Sequence, residues 1–150
     1  DMMRVAGFNF KKISVEKLAE KANELKINTK IDILDIQSIK SDFIKTKDEL
    51  LGVDFSYIVD YEPGFAKIEF KGSIVVSLDF REGKDVLRRW KDKKMSNEFQ
   101  VNLFNIILRK SNIKALELED EMNLPLHIPF PSLKPGQGQE QGSASQNSTQ

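Results

Sequence analysis

The chain has no cysteine and a single histidine among 150 residues, and these two shortages exclude more chemistry than any motif establishes. Without thiols there is no disulfide, no thiolate nucleophile and no cysteine-ligated zinc. His127 is flanked by Leu126 and Ile128 and has no serine, cysteine or carboxylate constellation beside it, so a structural or surface role is expected, not a triad or a metal site. Long apolar runs are missing too, which leaves nothing of membrane-spanning length. Charge of either sign is not in surplus: Lys plus Arg and Asp plus Glu both number 23. A dedicated nucleic-acid binder would carry a basic excess to neutralise phosphates. No P-loop, Gly-x-Gly-x-x-Gly, His-Glu-x-x-His or nucleophile elbow occurs. Only carboxylates, lysines and tyrosines remain for proton transfer, so catalysis is not expected and no cofactor or metal is called for. No apolar stretch follows Met2-Met3-Arg4, and a cytoplasmic location is the expectation.

What is present reads as one α+β domain over residues 1–133, with its folded part at about 3–133, followed by a glutamine- and serine-rich tail, 134–150, expected to be disordered because it offers almost nothing to bury. The clearest element is a hairpin. Val53, Phe55, Tyr57, Val59 and Tyr61 alternate with Asp54, Ser56, Ile58 and Asp60, the period of a half-buried strand. Glu62-Pro63-Gly64 follows and predicts a type II turn. Ala66, Ile68, Phe70, Gly72, Ile74, Val76 and Leu78 then occupy every second position of the return strand, with Gly72 expected to mark a bulge or bend. Ile27 to Ile33 alternates in the same way. Its continuation through Ile36, Ile39, Phe43 and Ile44 reads equally as bent strand or loop. Arg4 to Phe10 predicts a short first strand, and Ser14 an N-cap for a helix with Leu18, Ala19, Ala22 and Leu25 on its apolar stripe.

Beyond Asp79 the period turns helical. Val86, Leu87 and Trp90 give a short stripe. Ser96 caps a longer helix with Phe99, Leu103, Phe104, Ile106, Ile107 and Leu108, apolar almost all round, and Ile113 to Met122 forms a last piece. Prolines 125, 129 and 131 hold the next segment extended, because each removes a donor and disfavours helix before it. Strands first and helices after imply an antiparallel β-sheet with helices packed on one face.

Two charged segments have a functional reading beside a plain one. Glu117, Glu119, Asp120 and Glu121 form an acidic cluster that lacks the spacing and glycine of a calcium loop, so a solvated helix face is expected. Lys84, Arg88, Arg89, Lys91, Lys93 and Lys94 outnumber Asp85 and Asp92 and form a candidate patch for an anionic partner such as RNA or the ribosome, with Trp90 available to stack on a base. The plain reading is an exposed helix face. Ten phenylalanines, one tryptophan and two tyrosines read most simply as core; the functional reading is a surplus that one helical layer does not cover and that packs against another subunit or an apolar ligand.

The order of elements, the helix segment Asn102-Leu-Phe-Asn-Ile-Ile-Leu-Arg-Lys110, the segment Asn123-Leu-Pro-Leu-His-Ile-Pro-Phe-Pro131 and the opening Gly7-Phe-Asn-Phe-Lys-Lys-Ile-Ser14 together resemble the SecB-like chaperones and their archaeal relatives. The resemblance spans about residues 4–133. It implies an ATP-independent holdase that keeps non-native polypeptides soluble, a link to protein export, and assembly as a homo-oligomer, a dimer of dimers. The family's second helix after the proline-rich segment is missing, as is the acidic end of bacterial members, which puts the tetramer and docking to an export motor in doubt. Such a holdase grips extended apolar segments through aromatic patches and free strand edges. Phe55, Tyr57, Tyr61 and Phe65 on the hairpin, with Phe130 in the proline-rich segment, are the candidate contacts.

Overall fold

The computed structural model describes residues 3–40, 42, 46–131 and 133–136. Four strands, β1 (Arg4–Lys17), β2 (Lys26–Ile39), β3 (Glu49–Glu62) and β4 (Ala66–Leu78), precede two helices, α1 (Phe80–Trp90) and α2 (Asn97–Glu121). The strands form one antiparallel sheet in the order β1-β4-β3-β2. β2, β3 and β4 pair in chain order, while β1 does not pair with β2 and lies instead against β4. The α+β expectation is met, and one sheet face carries both helices. Glu49 and Tyr57 share that face of β3 by parity; the first touches α1 through Lys84 and the second touches α2 through Asn112.

The hairpin of β3 and β4 is the centre of the core. Tyr57 opposes Phe70, and their rings stack with centroids 5.4 Å apart. Alternate residues from Leu51 to Tyr61 and from Ala66 to Leu78 are buried, as the period-two pattern predicts. Gly72 does not bulge its own strand. A side chain there would lie 2.6 Å from the Asn9 carbonyl oxygen and 2.8 Å from the Phe55 ring, so glycine admits the close approach of β1 and the ring above it. The register shift sits opposite, on β1 between Phe10 and Lys12. The turn also differs: the Glu62–Pro63 peptide is cis, which a type II turn does not contain, while Gly64 takes the positive φ of 52°.

The predicted helix after Ser14 does not form. β1 continues to Lys17, placing Ile13 and Val15 opposite Phe70 and Ile68. Cross-strand packing of β-branched side chains outweighs a cap that lacks its glutamate. The amides of Leu18 and Ala19 then donate to the Phe65 carbonyl, at 2.7 and 3.3 Å, and the stretch to Leu25 is a loop. β2 extends to Ile39 as strand, with a register shift between Ile33 and Asp35; Phe43 and Ile44 lie outside the described residues. Residues 137–150 of the expected disordered tail lie outside them as well.

Asp79 caps α1 by accepting from the Glu82 amide at 2.8 Å, and Ser96 caps α2 by accepting from the Phe99 amide at 3.2 Å. The two helical pieces expected over 97–122 are one helix of 25 residues. Its buried positions, Phe99, Leu103, Ile107, Ser111, Ala115 and Glu119, recur every fourth residue and make one ridge along the sheet. Among the described residues no helix is long and apolar enough to cross a membrane.

Candidate functional site

The ridge of α2 changes character along its length. Phe99, Leu103 and Ile107 are apolar; Ser111, Ala115 and Glu119 are small or polar, although all three are completely buried. A buried carboxylate needs partners, since desolvation without them costs several kcal/mol. Glu119 finds them in the segment beyond the helix. Asn123 takes a φ of 54°, the left-handed conformation that asparagine tolerates, and the Leu124 amide closes back on the Glu119 carbonyl at 2.8 Å. The chain reverses there, and residues 124–127 run back as a strap that meets α2 at Glu119 and Asn112 and bends at His127 and Ile128.

Leu124 is the strap's apolar anchor, at 5% exposure. Glu119 accepts from the His127 amide at 3.0 Å through Oε1 and from His127 Nδ1 at 2.7 Å through Oε2. The imidazole Nε2 lies 2.9 Å from the Tyr57 hydroxyl and 3.1 Å from Asn112 Oδ1, and the Tyr57 hydroxyl itself donates to Asn112 Oδ1 at 2.6 Å. Tyr61 donates to the Pro125 carbonyl at 2.5 Å. Three elements thus converge: β3 supplies two phenols, α2 an amide and a carboxylate, and the strap an imidazole and two main-chain groups. Burial, followed by the nearby Glu119 charge, raises both phenols well above the ordinary tyrosine value. They are fixed neutral hydrogen-bonding groups at any ordinary pH. The Ser111 hydroxyl is buried on the same ridge without a partner among the described residues.

The expectation of a structural His127 is met, since its side chain is 2% exposed and pinned by this network. The acidic cluster needs correction at one position. Glu117, Asp120 and Glu121 are exposed, but Glu119 points inward and is not part of a solvated face. Among the described residues no group of three or more His, Asp or Glu side chains is placed to hold a metal ion.

The candidate polypeptide contacts divide. Phe55, Tyr57 and Tyr61 are inside the core, because the helix-bearing face of the central strand is covered by α2 and the strap; they offer a partner no surface in this conformation. Phe65 is half-buried against Tyr61, with ring centroids 6.4 Å apart. Phe130 is 67% exposed beyond the strap. Leu126 and Leu133 are exposed beside it in sequence. On the outer side of α2, Val101 and Ile113 are exposed as well.

The basic patch is largely engaged within the protein. Arg88 and Arg89 both pair with Asp85, Arg89 at 2.9 Å, and together they hold that carboxyl below its usual value. Lys84 reaches Glu49 at 3.2 Å, while Lys93 sits over the Trp90 ring at 4.6 Å; Lys91 and Lys94 are exposed. Trp90 is not free to stack on a base. It is buried at the sheet, and its indole N–H donates to Asp35 at 3.3 Å.

Asn112 and Glu119 were missed as site residues by sequence reading, although Glu119 falls on the four-residue ridge that starts at Phe99. No family model matches the sequence, and no curated protein matches it significantly. Among solved structures the chain is similar to a SecB-like chaperone from Mycobacterium tuberculosis, determined in complex with a peptide from an antitoxin, at 12% identity over 88% of each chain with a TM-score of 0.52. That likeness is one of fold: the four-stranded antiparallel sheet with its two helices is a SecB-like α+β architecture.

Proposed function

We propose that the protein binds non-native polypeptides as a holdase-type chaperone that needs no nucleotide. The observation that carries this reading is the pairing of an extended segment of polypeptide with the aromatic floor of the sheet: residues 124–127 lie on Tyr57 and Tyr61 and are held by hydrogen bonds, two of them to main-chain groups. A fold that seats an extended chain in this way has the chemistry for binding others. Fold likeness to a chaperone solved with a bound peptide supports the same reading. Further support comes from β1 and β2, which form the two outer edges of the sheet and are 14 residues long each, room for strand addition by an extended partner. Exposed Phe130, Leu126, Ile113 and Val101 supply apolar contact surface, and the last two are candidates for a homo-oligomer interface. A cytoplasmic holdase of this type is suited to passing clients to an export pathway.

The RNA- or ribosome-binding reading is the weaker one, because its aromatic contact, Trp90, is buried and its arginines are paired with Asp85. The deciding experiment is suppression of aggregation of a chemically unfolded client by the purified protein, without nucleotide and followed by light scattering. Suppression at near-stoichiometric protein supports the holdase. No suppression, with co-sedimentation on ribosomes that Arg88→Glu and Arg89→Glu abolish, would replace it with the alternative.

A further inference from the structure

Tyr61 and Glu119 bind the strap by its main chain. The acceptor they use is the carbonyl of Pro125 and the donor is the amide of His127, two residues on. Main-chain groups are common to every sequence, so this pair of contacts is available to any extended segment laid along the same line. Selectivity enters at one side chain, where Glu119 Oε2, Asn112 Oδ1 and the Tyr57 hydroxyl all face the imidazole. Leu124 adds a single apolar anchor.

The rest of the segment is not built as a permanent cover. Leu124 is buried and Ile128 partly so, but Leu126 and Phe130 are exposed. A segment selected only to close the core would turn them inward, where each would contribute about 1.5–3 kcal/mol of burial. Hydrogen bonds, in contrast, exchange with equivalent bonds from a competing chain at little net cost.

We infer that the seat formed by Tyr57, Tyr61, Asn112 and Glu119 is a binding site for an extended polypeptide segment carrying an imidazole or similar hydrogen-bonding side chain two residues after its carbonyl anchor, and that the protein's own residues 124–127 occupy it as an intramolecular competitor. The inference rests on the polypeptide-binding reading and adds to it a site and a means of regulation. A tethered competitor lowers apparent affinity by the fraction of molecules in which the seat is open. Incoming chains that match the seat displace the strap; chains that do not match are left to the exposed apolar surface.

The probe is a fluorescently labelled synthetic peptide with the sequence of residues 123–131, added to the full-length chain. His127→Ala weakens the strap's own hold, so the peptide is expected to bind this variant about tenfold more tightly than the unaltered protein. Adding Tyr61→Phe should remove most of that gain, because the carbonyl anchor is lost. Equal peptide affinity for the unaltered protein and the His127→Ala variant, with unchanged circular dichroism, overturns the inference. Should the variant fail to fold, the unaltered protein decides: excess unlabelled strap peptide should relieve its suppression of client aggregation. Suppression that the peptide leaves untouched overturns the shared seat and spares the holdase. Absence of any suppression removes the holdase itself, while tighter peptide binding by His127→Ala would still support the seat.

Discussion

The two halves of α2 present the same geometry to the sheet and opposite chemistry. Phe99, Leu103 and Ile107 bury hydrocarbon in the core; Ser111, Ala115 and Glu119 continue the ridge with a hydroxyl, a methyl and a carboxylate. Apolar burial is non-directional and scales with area, so the first half fixes the helix to the sheet whatever lies beyond it. The second half is directional. Glu119 accepts from both the amide and the ring of His127, and these two bonds form only with the strap in place. One helix thus serves as an apolar support at its N-terminal end and a hydrogen-bonded clasp at its C-terminal end.

The sharpest way to break this distinction is to cut each half separately. Leu103→Ala removes a fully buried side chain and should lower global stability by about 3 kcal/mol, read by urea unfolding. Its effect is expected to be spread over sheet and helix alike. Glu119→Ala strips two hydrogen bonds from His127 and should cost about 2 kcal/mol, concentrated in the strap. Hydrogen exchange is the check: the amides of Leu124 to Ile128 should accelerate while those of β3 and β4 keep their protection. If Glu119→Ala loosened the sheet as much as Leu103→Ala does, the two halves would be one cooperative unit and the clasp would not be separable.

Ser111 sharpens the boundary between them. Its hydroxyl is buried with no partner among the described residues, so Ser111→Ala should raise stability by about 1 kcal/mol in the same unfolding assay. A loss on that substitution would mean the hydroxyl is engaged by a group such as an ordered water. The smallest effect, nil at neutral pH, belongs to the two tyrosines, which are the only ones in the chain. Burial raises both above the ordinary value of 10.0. The unfolded chain therefore ionises first as pH rises. Stability from these phenols is complete below pH 10.0, and it drains away above that as pH climbs toward the raised folded values. Ultraviolet titration should show no phenolate near pH 10.0 while the fold persists, and a step coupled to unfolding at higher pH. A reversible step at the ordinary value with the fold intact would place a tyrosine at the surface.

Much of this architecture is legible in the residues, and the failures have physical causes. The hairpin is visible because one of its faces is buried and the other wet, which forces strict alternation from Val53 to Leu78. The first strand was underestimated because Ser14 looks like a cap when read locally; only pairing with β4 shows that Ile13 and Val15 are worth more opposite Phe70 and Ile68. The break assumed at Ser111 and Asn112 came from reading polar residues as the end of an apolar helix. Ser111 instead continues the buried ridge, and Asn112 beside it meets His127 of the strap. The pairing of Glu119 with His127 was out of reach, because it depends on the reversal at Asn123 and on two hydroxyls from β3. Aromatic alternation on β3 puts Tyr57 and Tyr61 on one face of the sheet, but carries no sign that the chain's own C-terminal segment covers it.

The most direct measurement follows strap and partner together. An extended apolar peptide carrying a histidine is titrated into the isotopically labelled full-length protein, and the amide resonances of Leu124, Leu126, His127 and Ile128 are monitored by NMR. Exchange of strap for client predicts that these resonances move toward free-chain positions in proportion to the peptide bound, while amides of β3 and β4 stay protected. Saturable binding that leaves the strap resonances where they were would contradict it, and would place the polypeptide site on another surface of the molecule.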